Sequence, residues 1–207
     1  MLRGVYAVTL DGVGELDTLI YTVEQALRGG ACMIQYRDKV SSPDQKRVFA
    51  KALLEVCVRH NKPLIINDDI DIAKETNASG VHLGKSDDSI ERARAILGKH
   101  SIIGISCYGS LQRAINAQSR GADYVAFGSV FASTSKPNAS RVPVDIIKEA
   151  KRQLSVPVCA IGGITTDNVG ILVKTGVDMV AVISGVFVQP DVAKATESIA
   201  NYFNQTP

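Results

Sequence analysis

The feature that most constrains the fold is one unit, repeated from end to end of the chain. A short β-rich run leads into turn residues, then an amphipathic helix, then a glycine-containing stop. The runs that read as strands are Val5–Leu10, Met33–Arg37, Leu64–Asn67, Gly80–Leu83, Ile102–Cys107, Tyr124–Gly128, Val158–Ile161 and Met179–Ile183. They are continuously apolar rather than alternating, the pattern of parallel strands buried on both faces. Eight strands alternating with eight helices predict an α/β protein folded as a single-domain TIM (β/α)8 barrel over residues 1–207. An open sheet of eight strands would read similarly, so pattern alone does not establish closure.

The helices carry their own punctuation. Ser42-Pro43-Asp44-Gln45 reads as an N-cap serine, a proline at the first helical position and a capping-box glutamine. Val48, Phe49, Ala52, Leu53, Val56 and Cys57 then form an apolar stripe at helical spacing. Asp69 is placed to cap the third helix, and Asp88 with Glu91 the fourth. In the last helix Val192, Ala195, Ile199 and Phe203 share a face. Gly30, Gly121 and Gly176 stand where left-handed C-caps are expected.

Composition narrows the function. With 207 residues, 45% hydrophobic and 21% charged, the chain suits one sizeable core. A formal charge of +2, with Lys and Arg spread along the chain, argues against nucleic acid as a partner. No apolar run is long enough to span a membrane, and Met1–Tyr6 offers no signal-peptide core. Cys32, Cys57, Cys107 and Cys159 show no CxxC pair or metal-ligand spacing, so reduced thiols in a cytoplasmic protein are expected. The sequence leaves assembly into a homo-oligomer open.

In a barrel of this kind the chemistry belongs at the C-terminal strand ends. The second strand ends Gln35-Tyr36-Arg37-Asp38-Lys39, where Gln35, Arg37 and Lys39 share one face of an extended segment and could meet an anion. The third ends Asn67-Asp68-Asp69, and Lys85-Ser86-Asp87-Asp88 follows the fourth. Asp68 and Asp87, from adjacent strands, could converge as the one or two carboxylates that a magnesium ion takes from a protein. Gly162-Gly163 after the seventh strand, with Ile183-Ser184-Gly185 at the end of the eighth, suits backbone approach to a phosphate. The long polar stretch 131–143 is a candidate flap, and Ser133-Thr134-Ser135-Lys136 adds three hydroxyls and a cation. His60 and His100 read as surface residues and His82 as a satisfied core histidine. The inferred site is rich in cations and hydroxyls and poor in general bases, which suits departure of a diphosphate.

Together these segments resemble the thiamine-phosphate synthases. The likeness rests on Gln35–Lys39, Asn67-Asp68-Asp69, Gly80–Gly84 with Asp87, Gly104-Ile105-Ser106, the Ser133–Lys136 loop and Ala160–Ile164. The resemblance implies that Gln35, Tyr36, Arg37, Asp38, Lys39, Asn67, Ser106 and Lys136 bind hydroxymethylpyrimidine diphosphate. Arg37, Lys39, Ser106 and Lys136 are then the catalytic set. It implies Asp68 and Asp87 as ligands of one Mg2+, and Ser133, Thr134, Ser135, Gly163, Ile183 and Ser184 as the thiazole phosphate site. It further implies that the bond to diphosphate breaks first and that the thiazole nitrogen captures the resulting cation, so no base is required. Many members carry Thr at 133 and 135, Gln at 85 and Pro at 129, where this chain has Ser, Lys and Ser.

Three other readings compete. A thiazole tautomerase of the same barrel family resembles the synthases, but depends on a histidine that Phe127-Gly128-Ser129-Val130-Phe131 lacks. A phosphosugar isomerase or synthase would need a base at a strand end, for which Asp11 is the unassigned candidate. A barrel kept only as a binding module would have lost a cation or ligand at its mouth, and none is missing.

Overall fold

A computed structural model describes residues 2–84, 89–132 and 140–204. Its strands are β1 (Gly4–Val8), β2 (Ala31–Tyr36), β3 (Leu64–Asn67), β4 (Gly80–Leu83), β5 (Ile102–Tyr108), β6 (Tyr124–Gly128), β7 (Val158–Ile161) and β8 (Met179–Val182). All neighbours are parallel and lie in chain order, and β8 pairs back onto β1 through Val5 beside Val180 and Tyr6 beside Ala181. The sheet is therefore a closed barrel, the question that the sequence pattern left undecided. The helices are α1 (Leu16–Arg28), α2 (Pro43–Arg59), α3 (Ile70–Thr76), α4 (Ile90–Leu97), α5 (Leu111–Ser119), α6 (Asp145–Gln153), α7 (Val169–Val173), α8 (Ser184–Phe187) and α9 (Val192–Asn204).

Closure splits the apolar residues into two cores by strand parity. Val5, Ala7, Ile34, Tyr36, Leu64, Ile66, Val81, Leu83, Val125 and Phe127 face outward and pack under the helices. Tyr6, Val8, Met33, Ile65, Tyr124, Ala126, Cys159, Met179 and Ala181 face inward and fill the barrel. The strands look continuously apolar because their apolar residues of both parities are buried, in one core or the other.

The N-terminal pole of the barrel is tied by side chains that stand just before strands. Asp123 accepts the Ile103 N–H at 2.7 Å, Asp178 the Val158 N–H at 2.7 Å, and the Ser79 hydroxyl the Leu64 N–H at 3.1 Å. Each occupies the residue before one strand and satisfies a donor near the start of the preceding strand. These are stability contacts, at the pole opposite the chemistry.

Several local expectations hold and several need correction. Ser42 caps α2 by accepting from Gln45 N, and Asp69 caps α3 by accepting from Ile72 N. The cap of α4 is Ser89, which accepts from Arg92 N; Asp88 lies outside the described residues. In α2 the buried face runs Phe49, Ala50, Leu53, Val56 and Cys57, while Val48 is 56% exposed. Phe49, Leu53, Val56 and Cys57 keep their expected places, Ala50 joins the buried face, and Ala52 is only half-buried. In α9 Thr196, not Ala195, is fully buried, with its hydroxyl donating to the Val192 carbonyl at 2.7 Å. That bond removes the cost of burying a hydroxyl in an apolar face.

Candidate active site

The C-terminal ends of the strands surround a cavity of about 410 Å³. Its walls include Asp11, Gln35, Arg37, Asn67, Ser106 and Ser129 among apolar residues from β1, β6, β7 and β8. The volume suits one small organic ligand. A smaller space of about 20 Å³ lies between the ends of β7 and β8 and is lined by Gly162, Gly163, Ile183 and Ser184 among others.

Parity sorts the β2 segment. Gln35 and Arg37 line the cavity, whereas Tyr36 belongs to the outer core and donates its hydroxyl to Asp38 Oδ2 at 3.2 Å. Asp38 Oδ1 in turn accepts from the N–H groups of Val40 at 2.9 Å and Ser41 at 3.0 Å. The Tyr36 and Asp38 side chains therefore shape the turn rather than the cavity wall. Thr9 holds Arg37 in place from β1's extension, accepting from Arg37 N at 2.9 Å and donating to Arg37 O at 3.0 Å.

Arg37 is paired with Asp11, and Asp11 Oδ1 also accepts the Lys39 N–H at 3.1 Å. With both oxygens engaged, Asp11 is built to position the segment, not to abstract a proton. Lys39 extends past the strand end, where its Nζ lies 3.1 Å from Asp68 Oδ2. The same oxygen accepts from Asn67 Nδ2 at 2.7 Å. Asp68 adopts a left-handed backbone, φ 65°, that turns its chain out of β3. Its carboxylate already holds a cation, the ammonium of Lys39, at the barrel mouth. Among the described residues no cluster of three or more His, Cys, Asp or Glu is placed to hold a metal. Asp87, Lys85 and Ser133, Thr134, Ser135 and Lys136 lie outside the described residues.

Ser106 is on the inner face of β5, where its hydroxyl is 2.8 Å from His82 Nε2. Arg113 from α5 fixes the backbone there, donating to Ser106 O at 2.8 Å and to Gly84 O at 2.9 Å. It thereby joins the end of β5 to the end of β4. Neither Arg113 nor the inward tyrosines of β1 and β6 stood out in the sequence. Tyr6, two residues before Val8, and Tyr124, two before Ala126, sit at inward parity, which becomes visible only once the inner face is known.

The glycines after β7 have a further reason to be there. Gly163 has φ 60°, and a Cβ would lie 2.0 Å from the Ala132 carbonyl oxygen. Gly162 has φ 110°, and a Cβ would lie 2.0 Å from Ser129 Oγ. The backbone of the β6 exit packs directly on this turn, with Phe131 N donating to Gly162 O at 3.0 Å. Side chains at either position would push the two loops apart.

Known proteins resemble this chain along nearly its whole length. The profile of the family described as thiamine monophosphate synthase matches residues 5–186. A thiamine-phosphate synthase of Thioalkalivibrio sulfidiphilus is 47% identical over 202 residues, covering 98% of this chain and 96% of its own. One from Thiobacillus denitrificans is 45% identical over 204 residues, with 99% and 96% covered. Among solved structures, a thiamine phosphate pyrophosphorylase from Pyrococcus furiosus superposes with a TM-score of 0.88 at 35% identity, covering 98% of this chain and 96% of its own.

Proposed function

The chain belongs to the thiamine monophosphate synthase family, and from that premise we propose how its residues carry the reaction. It joins 4-amino-2-methyl-5-hydroxymethylpyrimidine diphosphate to 4-methyl-5-(2-phosphooxyethyl)thiazole, giving thiamine phosphate and diphosphate. Residues 1–207 act as one catalytic barrel in the cytoplasm. The observation that carries this reading is the character of the cavity. Gln35, Arg37, Asn67 and Ser106 supply donors around it, while the candidate bases among the described residues that line it, Asp11 and His82, are already engaged by neighbours. Such a site stabilises a leaving anion and needs no proton abstraction, because the thiazole nitrogen attacks through its own lone pair.

The pyrimidine enters the cavity between Gln35 and Ser106, and its diphosphate meets Arg37 and Lys39. Arg37 uses one edge of its guanidinium on Asp11 and keeps further donors for phosphate oxygens. Lys39 transfers its ammonium from Asp68 to the diphosphate, and Lys136 joins from the loop after β6. Asp68, steadied by Asn67, fits a hard cation, since its carboxylate already attracts one in the form of Lys39. With Asp87 it would hold Mg2+, which supplies neutralising charge to the departing diphosphate. The thiazole phosphate docks at the turns of Gly163, Ile183 and Ser184, with Ser133, Thr134 and Ser135 as its further binding residues.

The test is incubation with both phosphorylated substrates, with Mg2+ and with a chelator. Thiamine phosphate and diphosphate should appear together in equal amounts with the metal and stop when it is removed. Absence of thiamine phosphate under all conditions would refute the reading.

A further inference from the structure

Below the diphosphate end of the cavity, five side chains from five strands form one hydrogen-bonded chain across the barrel. Gln35 Nε2 donates to the Tyr6 hydroxyl at 2.5 Å, and that hydroxyl is 2.8 Å from the hydroxyl of Tyr124. Tyr124 lies 2.8 Å from His82 Nδ1, and His82 Nε2 lies 2.8 Å from Ser106 Oγ. Gln35 and Ser106, the two ends, line the cavity together with Tyr6 and His82, whereas Tyr124 is fully buried beneath it. The Tyr124 ring crosses the barrel because β5 carries glycine opposite: a Cβ on Gly104 would lie 2.0 Å from Tyr124 Cζ. Tyr6 meets Tyr124 edge-on with centroids 5.8 Å apart, and His82 stacks on Tyr124 at 5.5 Å.

The Gln35 amide, with its Nε2 toward Tyr6, gives this chain a direction that the proton count carries to the far end. Burial pushes both phenols well above their ordinary range, so each keeps its single hydrogen. Tyr6 accepts from Gln35 and so must donate to Tyr124. Tyr124 then donates to Nδ1 of His82, which in a neutral imidazole leaves the proton on Nε2 to be donated to Ser106 Oγ. The Ser106 hydrogen is left for the cavity, as is the Gln35 carbonyl oxygen. Turning the Gln35 amide over reverses every link and commits the Ser106 hydrogen to His82. A mixture of the two directions would leave a buried donor or acceptor unmatched, at about 1–3 kcal/mol.

We propose that Tyr6 and Tyr124 are positioning residues that lock Gln35 and Ser106 into one hydrogen-bond polarity, so that the cavity selects an aminopyrimidine over an oxopyrimidine. This rests on the pyrimidine reading of the site. An exocyclic amine beside a ring nitrogen offers a donor toward the Gln35 carbonyl and an acceptor toward the Ser106 hydroxyl. An oxo group beside a ring N–H offers the reverse, and could be accommodated only by reversing all four links. Sites that hydrogen-bond a substrate's polar edge discriminate strongly for this reason.

Two measurements test it. In the free protein, 15N NMR of the imidazole should show His82 as the Nε2–H tautomer alone, and Tyr124→Phe should abolish that preference. With Mg2+ present, wild type should bind the 4-amino pyrimidine diphosphate at least about a hundredfold more tightly than its 4-oxo analogue. In Tyr124→Phe the ratio should fall below about tenfold, with affinity for the thiazole phosphate within about twofold of wild type. Tyr6→Phe carries the same expectations from the other side of the link, should Tyr124→Phe not fold. An Nδ1–H tautomer in wild type, or an undiminished ratio in a folded variant, would overturn the proposal. If neither pyrimidine bound wild type, the pyrimidine reading would fail, while the tautomer would still decide whether the chain is locked.

Discussion

Asp11 Oδ2 faces the guanidinium of Arg37 while its Oδ1 accepts the Lys39 N–H, so one carboxylate sets two cations of the binding segment. Neutralising some of Arg37's charge works against diphosphate binding, and holding its fork in one orientation works for it. Orientation should win, because Arg37 has five donors and Asp11 engages its Nη1. Asp11→Asn keeps an acceptor for Lys39 but loses the charge-assisted pair, and should lower kcat/KM for the pyrimidine diphosphate by about tenfold. Steady-state kinetics with that substrate varied would show it; an unchanged value would mean that Arg37 is positioned by Thr9 alone. At this scale the sequence was partly legible. Gln35, Arg37, Asn67 and Asp68 stood out because polar groups at the end of an apolar strand need a reason to be there. Tyr6, Tyr124 and His82 did not, since a tyrosine or histidine inside an apolar run is equally at home as a satisfied core residue. Their role depends on meeting one another across the barrel, which no local pattern encodes.

Elements were more legible than residues. All eight strands end within two residues of expectation, because parallel strands buried on both faces need unbroken apolar runs. The misses are local. β2 begins at Ala31, two residues earlier than expected, directly after the left-handed Gly30. The four-residue helix α8, which begins directly after the run read as β8, was not expected, being too short for any periodicity. The ties at the N-terminal pole were also missed, although each is a single polar residue just before a strand. Asp178 joins two contacts, accepting from Val158 N at 2.7 Å and from Lys151 Nζ at 2.6 Å. Asp178→Ala should cost about 2 kcal/mol, by stranding the Val158 donor at the start of β7. Asp178→Asn, which still offers an oxygen, should cost about half as much. Urea unfolding of the two variants beside wild type is the measurement, and equal small losses would show that Asp178 is only a surface charge.

For the whole molecule, the two nested cores should make the barrel unusually sensitive to alkali. Cys57 and Cys107 are buried in the outer core and Cys159 in the inner one, all three unpaired. Burial pushes the thiols of Cys57 and Cys107 from 9.0 up to about 12, and drives Cys159 upward as well. In the unfolded chain all three ionise near pH 9; in the folded barrel they hold their protons. The folded state therefore binds more protons above pH 9, and stability must fall as pH rises through that window. It is fully present below pH 9 and lost progressively towards pH 12. Each thiol removes about 1.4 kcal/mol per pH unit, so three remove about 8 kcal/mol between pH 9 and 11. That is comparable to the whole stability of a typical domain, about 5–15 kcal/mol. The buried phenols of Tyr6 and Tyr124 act in the same direction at higher pH. Unfolding free energies from urea titrations at pH 8, 9.5 and 11 should fall steeply. In a Cys57→Ala, Cys107→Ala, Cys159→Ala variant the curve should start lower, because three small cavities are opened, but descend less. The slope is the readout: a variant that loses stability with pH as fast as wild type would show that the thiols are not what alkali attacks.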